Sequence, residues 1–323
     1  SSKIEFYRTH EVESTVEHLE EDNATKTKER ISELFGCYED IIHTSFSIQQ
    51  DNSCFIDAEN TERRKELQRI MRFDIIDKLG DDIIVFALFD GHSNFSKLDH
   101  KKMVNCILNI VSEFDRNLYN KIEFSQKLKM LFRKTDLSIY EANRQCRGGT
   151  TAIFLLLTHH YNIIINLGDS KVVHLNSQSK KIHIETIQHR PNLKSEYERI
   201  FNTNFNVTYN HGTYRINNEL SLSRSIGDFK YKLVNEKYDG HMSSVSVEPN
   251  VYIYKSQATI NHNNYYVLAS DGFWDFIKTS KIINIIRQNE HKTFNKIIEL
   301  LTKEAIKNGS NDNITIIIIN ERS

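Results

Sequence analysis

The chain has 323 residues, of which 39% are hydrophobic and 26% are charged, with a formal net charge of −1 from 42 basic and 43 acidic residues. This composition is typical of a soluble globular protein and excludes the disordered and fibrous classes. The balanced charge gives no basic excess that would favour nucleic acid as a partner.

The first part of the chain predicts an N-terminal extension followed by strands. Residues 1–35 are charged and lack a clean apolar pattern, so we interpret them as an extension or a peripheral helix. Strands are predicted at 43–49 and 53–57, and a charged insert with helical periodicity lies near 58–80. The apolar run 83–89 stops at an Asp-Gly pair, which is typical of a buried strand that ends in a turn.

The rest of the chain predicts two helices, a run of strands, a loop and a last helix and strand. Apolar spacing predicts one helix over 104–118 and a second marked by Phe124, Leu128 and Leu131. Strands are expected at 150–157, 161–167, 171–175, 182–187, 250–255, 264–270 and 314–319. The Asn-rich segment 201–219 is interpreted as a flap-like surface loop. A final helix is predicted over 292–306.

These elements indicate an α+β fold. Most strands are continuous apolar runs, which predicts sheets that are covered on both faces. The helices are grouped between runs of strands rather than alternating with single strands, which argues against a doubly wound α/β fold. No repeat or Pro-rich or Gly/Ser-rich linker is visible, so we expect residues 36–323 to form one domain.

The cysteines and the apolar runs bear on the compartment. Cys37, Cys54, Cys106 and Cys146 are widely spaced, so neither a thiolate zinc site nor a disulfide framework is expected. An intracellular protein of the cytoplasm, the nucleus or both is the better interpretation. No run is long enough for a transmembrane segment, and no secretory signal is visible. The sequence begins at Ser1, so a removed leader or a lipidated glycine remains open.

Four aspartates lie at the ends of predicted strands. Asp90 and Asp271 follow strands, Asp312 precedes one, and Asp169 lies between two. Carboxylates at strand ends can converge on one site, and a carboxylate set suits magnesium, manganese or calcium rather than zinc. Asp-Gly is also a common turn dipeptide, so the spacing allows convergence without establishing it.

Seven segments in chain order carry a resemblance to a known family. They are 89–92 (FDGH), 149–152 (GTTA), 166–170 (NLGDS), 189–191 (HRP), 222–228 (LSRSIGD), 269–275 (ASDGFWD) and 309–315 (GSNDNIT). Together they resemble the successive motifs of the type 2C metal-dependent serine/threonine protein phosphatases. The resemblance implies two stacked antiparallel β-sheets flanked on both outer faces by α-helices, which agrees with the α+β pattern.

The resemblance also implies a reaction and its metal site. Asp90 would bridge two divalent cations, Mg²⁺ or Mn²⁺, and the Gly91 carbonyl would bind one of them. Asp271 and Asp312 would complete the site. The cations would lower the pKa of a bridging water, which attacks the phosphoserine or phosphothreonine of a phosphoprotein substrate.

Further residues receive roles from the same resemblance. His92 matches the proposed general acid that protonates the leaving oxygen. Asp169 and Asp275, together with Asp271, match the ligands of a weaker third metal site in some members. Asp51 and Asn313 would support the metal ligands.

One position departs from the family pattern. In the segment 46–51 (FSIQQD), Phe46 occupies the place of the phosphate-binding arginine if Asp51 matches the family aspartate; alternatively the alignment slips by one residue. A phenyl ring does not replace a bidentate arginine. The departure therefore leaves open a catalytically silent binding or scaffold module, or a structural metal-binding protein, beside the enzyme that the retained aspartates favour.

Overall fold

The computed structural model describes the backbone of three N-terminal strands and, from residue 84 onward, most of the chain. The described residues are 7–9, 16–18, 42–47, 84–93, 95, 103, 106–111, 121–158, 160–210, 212–234, 237–256 and 263–320. The predictions for the strand at 53–57, the insert near 58–80 and Asp51 lie outside them. The side chain of Phe46 also lies outside this description.

Two antiparallel sheets form the centre of the molecule. The strands of the five-stranded sheet, in spatial order, are β10 (Ile182–Glu185), β9 (Lys171–Asn176), β17 (Asn264–Ala269), β18 (Ile314–Asn320) and β3 (Ile42–Ser47). Those of the four-stranded sheet are β16 (Asn250–Lys255), β8 (Tyr161–Leu167), β7 (Ala152–Leu157) and β4 (Ile84–Leu88). Every pairing in both sheets is antiparallel.

Short strands and helices complete the described fold. The short strands are β1 (Tyr7–Thr9), β2 (Val16–His18), β5 (Gly91–His92), β6 (Gly149–Thr150), β11 (Val207–Asn210), β12 (Thr213–Ile216), β13 (Ile226–Gly227), β14 (Leu233–Val234) and β15 (Lys237–Tyr238). The α-helices are α1 (Lys121–Ala142), α2 (Lys194–Phe201), α3 (Asp271–Trp274), α4 (Thr279–Gln288) and α5 (Phe294–Lys307), and residues 106–111 are also helical.

The two sheets stack face to face. Phe86 and Leu88 of β4 pack against side chains of the five-stranded sheet such as Leu268 and Ile317. The alternate residues of β4, Val85 and Ala87, lie in a different cluster on the outer face. Because both faces of the sheet are buried, the strand is apolar at every position rather than at alternate ones.

Helices cover the outer face of each sheet. α1 packs Phe124, Leu128 and Phe132 onto the four-stranded sheet, together with the helical residues 106–111. α4 and α5 cover the five-stranded sheet through residues such as Ile286 and Leu301. The predicted α+β sandwich with helices on both outer faces is therefore confirmed. No helix within the described ranges is both long and apolar enough to cross a membrane.

The structure differs from the predicted elements in several places. The segment 201–219, predicted as a flap-like loop, contains the hairpin of β11 and β12, which begins at Val207 after α2 has ended at Phe201. Within the segment 1–35, interpreted above as an extension or a peripheral helix, residues 7–9 and 16–18 form paired strands. The predicted strand 150–157 is divided into β6 and β7 at Thr151. The helices α2, α3 and α4 were not predicted.

Candidate metal centre

Pairing between β17 and β18 brings Asp271 and Asp312 together. Asp271 lies two residues after the end of β17, and Asp312 lies two residues before the start of β18. The Ser270 hydroxyl donates a hydrogen bond to the Asn313 carbonyl at 3.2 Å. At Gly272, an added Cβ would lie 2.4 Å from the Asn313 carbonyl oxygen and 3.1 Å from the Asp312 Cβ. The two segments are therefore in contact, and only glycine fits at this crossing.

Thr151 connects the segments that carry Asp90 and Asp169. Its amide donates to the Asp90 carbonyl at 2.9 Å, and its hydroxyl accepts from the Asp90 amide at 3.1 Å. The same hydroxyl lies 3.0 Å from that of Ser170. Gly168 has φ of +103°, and a Cβ there would lie 2.6 Å from the Thr151 methyl group. This close packing places two acidic turns from different strands side by side.

The carboxylates at these strand ends repel one another. Burial, followed by the charges of Asp169 and Asp312, raises the pKa of Asp90 to about 7, although His92 and a hydrogen bond with Asp271 act in the opposite direction. Burial also raises the pKa of Asp271 well above its ordinary value, and the neighbouring aspartates add to that shift. Such mutual shifts arise when like charges share one partly desolvated site.

This donor set suits a hard divalent cation. Within the part of the chain that the structure describes, no group of three carboxylate, imidazole or thiol side chains is arranged, as it stands, to hold a metal ion. Asp90, Asp271 and Asp312 are neighbours that offer only oxygen ligands, which is the preference of Mg²⁺ and Mn²⁺ and not of zinc. A divalent cation would relieve the repulsion that raises the pKa of Asp90 and Asp271.

His92 is held by a buried aspartate. Its Nε2 lies 2.8 and 2.9 Å from the two carboxylate oxygens of Asp228, which is 2% exposed. Burial alone would lower the pKa of His92. The hydrogen bond and charge of Asp228, helped by Asp90 and Asp169, outweigh burial and raise the pKa. The imidazole is therefore oriented and favoured in its protonated form, as a proton donor requires.

A buried ion pair lies behind this histidine. Asp136 of α1 accepts hydrogen bonds from the Gly227 amide at 2.6 Å, from the Lys232 amine at 2.7 Å and from the Tyr238 hydroxyl at 2.6 Å. Lys232 also donates to the Ser225 carbonyl at 2.7 Å. The pair fixes the backbone on both sides of the turn that carries Asp228.

The positively charged side chain of Arg190 lies among the aspartates. One terminal nitrogen of Arg190, Nη2, lies 2.8 Å from each oxygen of Asp275. The same nitrogen lies 3.6 Å from Asp169 Oδ2 and 3.7 Å from Asp271 Oδ2. Asp275 is thus connected to the other predicted ligands through Arg190.

The structure gathers most of the predicted site residues and adds two. Gly91 and Asn313 adjoin Asp90 and Asp312 in the chain, whereas Asp51 lies outside the described residues. The sequence analysis assigned no role to Arg190 or Asp228. Both lie in motifs that carried the resemblance, and a charged residue inside such a motif is the signal that marks them.

Comparison with known proteins agrees with the fold and the motifs. The sequence profile of the family described as Protein phosphatase 2C matches residues 59–314. Protein phosphatase 1A of Homo sapiens is 32% identical over 176 residues, which cover 54% of this chain and 44% of that protein. Protein phosphatase ppm-1.A of Caenorhabditis elegans is 28% identical over 249 residues, which cover 72% of this chain and 51% of that protein.

A solved structure supports the fold as well. The serine-threonine phosphatase 2C from Toxoplasma gondii superposes with a TM-score of 0.61 at 18% identity, covering 87% of this chain and 94% of that chain. This chain spans about half the length of the curated relatives it matches. The family profile, in contrast, covers most of the chain, from the segment before β4 to the start of β18. The chain therefore belongs to the protein phosphatase 2C family.

Proposed function

We propose that the chain is a metal-dependent phosphatase that hydrolyses phosphoserine and phosphothreonine in proteins. The observation that carries this proposal is the group of mutually repelling carboxylates around Asp90 and Asp271, next to a histidine that a buried aspartate holds by hydrogen bonds and whose pKa it raises. A purely structural protein has no need for a charged imidazole beside a cation site. Membership of the phosphatase 2C family supports the same reaction and a phosphoprotein substrate.

The family resemblance suggests a role for each residue, and the positions of the residues are compatible with these roles. Asp90, Asp271, Asp312 and the Gly91 carbonyl would hold two divalent cations, Mg²⁺ or Mn²⁺. When bound, these supply Lewis acidity that generates a nucleophile from water and neutralises phosphoryl charge. His92 would donate a proton to the departing serine or threonine oxygen, because an alkoxide is a poor leaving group. Asp228 would act as a positioning residue that keeps the His92 ring aimed and charged.

Hydrolysis assays test the proposal. We expect the chain to cleave p-nitrophenyl phosphate and a phosphothreonine peptide with Mn²⁺, and to lose this activity in EDTA. The rival function is a silent binding or scaffold module, which Phe46 favours if it occupies the place of the phosphate-binding arginine. A well-folded protein that binds Mn²⁺ but cleaves neither substrate would establish the rival.

The role of Asp228 predicts a loss that depends on the leaving group. Asp228→Asn keeps the size of the side chain but removes the charge that holds His92 protonated. We expect turnover of the phosphothreonine peptide to fall by about 100-fold, the lower range for loss of general acid catalysis. Hydrolysis of p-nitrophenyl phosphate should change much less, since p-nitrophenolate leaves without protonation. Steady-state kinetics on both substrates give the comparison, and an equal loss on both would contradict the positioning role.

Phe46 predicts a gain of substrate binding. β3 ends beside the Asp312 segment, because Ser47 pairs with Ile314. If Phe46 takes the arginine's place, the wild-type chain should have a high KM. Phe46→Arg should then lower the KM for the phosphopeptide by about tenfold, the value of one charge-assisted hydrogen bond. The Tm should stay within a few degrees of the wild type. A large fall in Tm without lower KM would place Phe46 in the sheet core, where a charge is costly, and would show that the alignment of this motif is wrong.

A further inference from the structure

The segment that carries Arg190 is fixed on both sides. The His189 amide donates to the Gly168 carbonyl at 2.9 Å, and the Ser223 amide donates to the His189 carbonyl at 2.9 Å. Burial lowers the pKa of His189 to about 3, so its ring is neutral and contributes no charge here. The Gln188 side chain donates to the Asp169 carbonyl at 2.8 Å. The backbone at Arg190 is therefore anchored directly beside the turn of Asp169.

The guanidinium of Arg190 lies between three aspartates. Arg190 contacts Asp275 through two short hydrogen bonds, and its Nη2 lies within 4 Å of both Asp169 and Asp271. The side chain of Arg190 is 19% exposed and that of Asp169 is 3% exposed. Asp169, Asp271 and Asp275 are the three residues that the family resemblance assigned to a third, weaker metal site. A positive charge that belongs to the chain thus already contacts all three of these carboxylates.

Arginine and a divalent cation compete for such a position. A small ion such as Mg²⁺ needs carboxylate oxygens at about 2.0–2.1 Å in near-octahedral order. Both oxygens of Asp275 accept hydrogen bonds from Arg190, so an ion bound by Asp275 would compete with the guanidinium for the same oxygens. The guanidinium lies within 4 Å of Asp169 and Asp271, so it repels a divalent ion that approaches these carboxylates. It cannot give up its proton to reduce that repulsion.

We propose that Arg190 takes the place of the third metal ion, so that the protein binds two divalent cations and not three. The guanidinium supplies positive charge next to Asp271 at every metal concentration. A chain built in this way gains its full activity from the two ions of the central site, without a further rise at high metal concentration. The inference rests on the proposed function, since it assumes the two-ion site at Asp90, Asp271 and Asp312.

Counting bound Mn²⁺ tests this directly. Metal-free wild-type protein is titrated with Mn²⁺. Calorimetry measures the heat of binding, and electron paramagnetic resonance measures the concentration of free Mn²⁺. We expect two ions for the wild type and three for Arg190→Ala, with the third bound at least about tenfold more tightly than any third ion of the wild type. Arg190→Lys keeps the charge and should still bind two. Arg287→Ala, which removes an exposed arginine on α4, is the matched control and should also bind two.

Each outcome has a distinct meaning. Three ions in the wild type would overturn the proposal without any variant, so the test survives a variant that fails to fold. Two ions in a folded Arg190→Ala protein would also overturn it, because Arg190 would then not be what excludes the third. Fewer than two ions in the wild type would instead refute the two-ion site of the proposed function.

Discussion

Replacement of Asp271 by asparagine is expected to remove most of the hydrolytic activity while the fold remains intact. Asp271 lies two residues after β17, at the start of α3, in contact with the Asp312 segment and beside Asp90 and Asp169. Asparagine has the same shape but contributes no negative charge to a hard-cation site. We expect turnover with saturating Mn²⁺ to fall by about 100- to 1000-fold, as for the loss of one preorganised electrostatic contact.

In the metal-free protein, the same substitution should not reduce the thermal stability and could raise it. Burial and three neighbouring carboxylates raise the pKa of Asp271 in the folded chain. A carboxyl group with a raised pKa costs folding free energy when it ionises, so this cost is present at neutral pH and disappears as the pH falls below the ordinary range of aspartate. Asparagine removes the cost. The Tm of the metal-free variant at pH 7 should therefore equal or exceed that of the wild type.

Three measurements separate a metal-ligand role from a structural one. Steady-state kinetics, Mn²⁺ titration and thermal unfolding are compared for Asp271→Asn and for Asp239→Asn. Asp239 accepts backbone hydrogen bonds from His241 and Met242 through one oxygen, which asparagine retains. The control should keep wild-type activity. Near-normal turnover of Asp271→Asn would contradict the assigned role, and a large fall in its Tm would show that the residue is needed for folding instead.

The sequence predicts the sandwich well because burial on both faces leaves a direct trace. β4 is apolar at every position, and its predicted range of 83–89 exceeds the observed Ile84–Leu88 by one residue at each end. The hairpin of β11 and β12 leaves no such trace. Its residues are half-buried or exposed apart from Ile216, so no apolar pattern fixes a strand or its register there. The N-cap of helix α4 is Lys278. Because lysine is not one of the residue types that mark the start of a helix, the sequence gives no clear start signal at this position.

Some features of the candidate site could likewise be predicted from the sequence, whereas others could not. The motifs identify the aspartates, but spacing along the chain carries no distances. The contact between His92 and Asp228 joins residues 136 positions apart and depends on a left-handed backbone, with φ of 52° at Asp228. The position of Arg190 between Asp169, Asp271 and Asp275 likewise follows from the packing of three separate turns. Such contacts are properties of the folded chain, so local patterns could not supply them.

The buried pair of Asp136 and Lys232 carries the second large expected effect. Both side chains are fully buried. Burial raises the pKa of Asp136 and lowers that of Lys232, so for each group the loss of water outweighs the attraction of its partner. Lys232→Met removes the cation and leaves a buried carboxylate whose remaining donors, among the described residues, are the Gly227 amide and the Tyr238 hydroxyl. We expect the free energy of unfolding to fall by about 3–5 kcal/mol, the usual cost of breaking a buried ion pair from one side.

Urea unfolding of matched variants measures this loss and links it to the site. Lys230→Met removes an exposed lysine two residues away and should cost less than about 1 kcal/mol. The double variant Asp136→Asn with Lys232→Met leaves no buried charge, so it should be more stable than Lys232→Met alone. Lys232 also holds the Ser225 carbonyl, three residues before Asp228. Folded Lys232→Met should therefore lose more activity on the phosphothreonine peptide than on p-nitrophenyl phosphate, because the loosened turn no longer aims His92. Equal stability of Lys232→Met and Lys230→Met would show that the pair is not what holds this turn to α1.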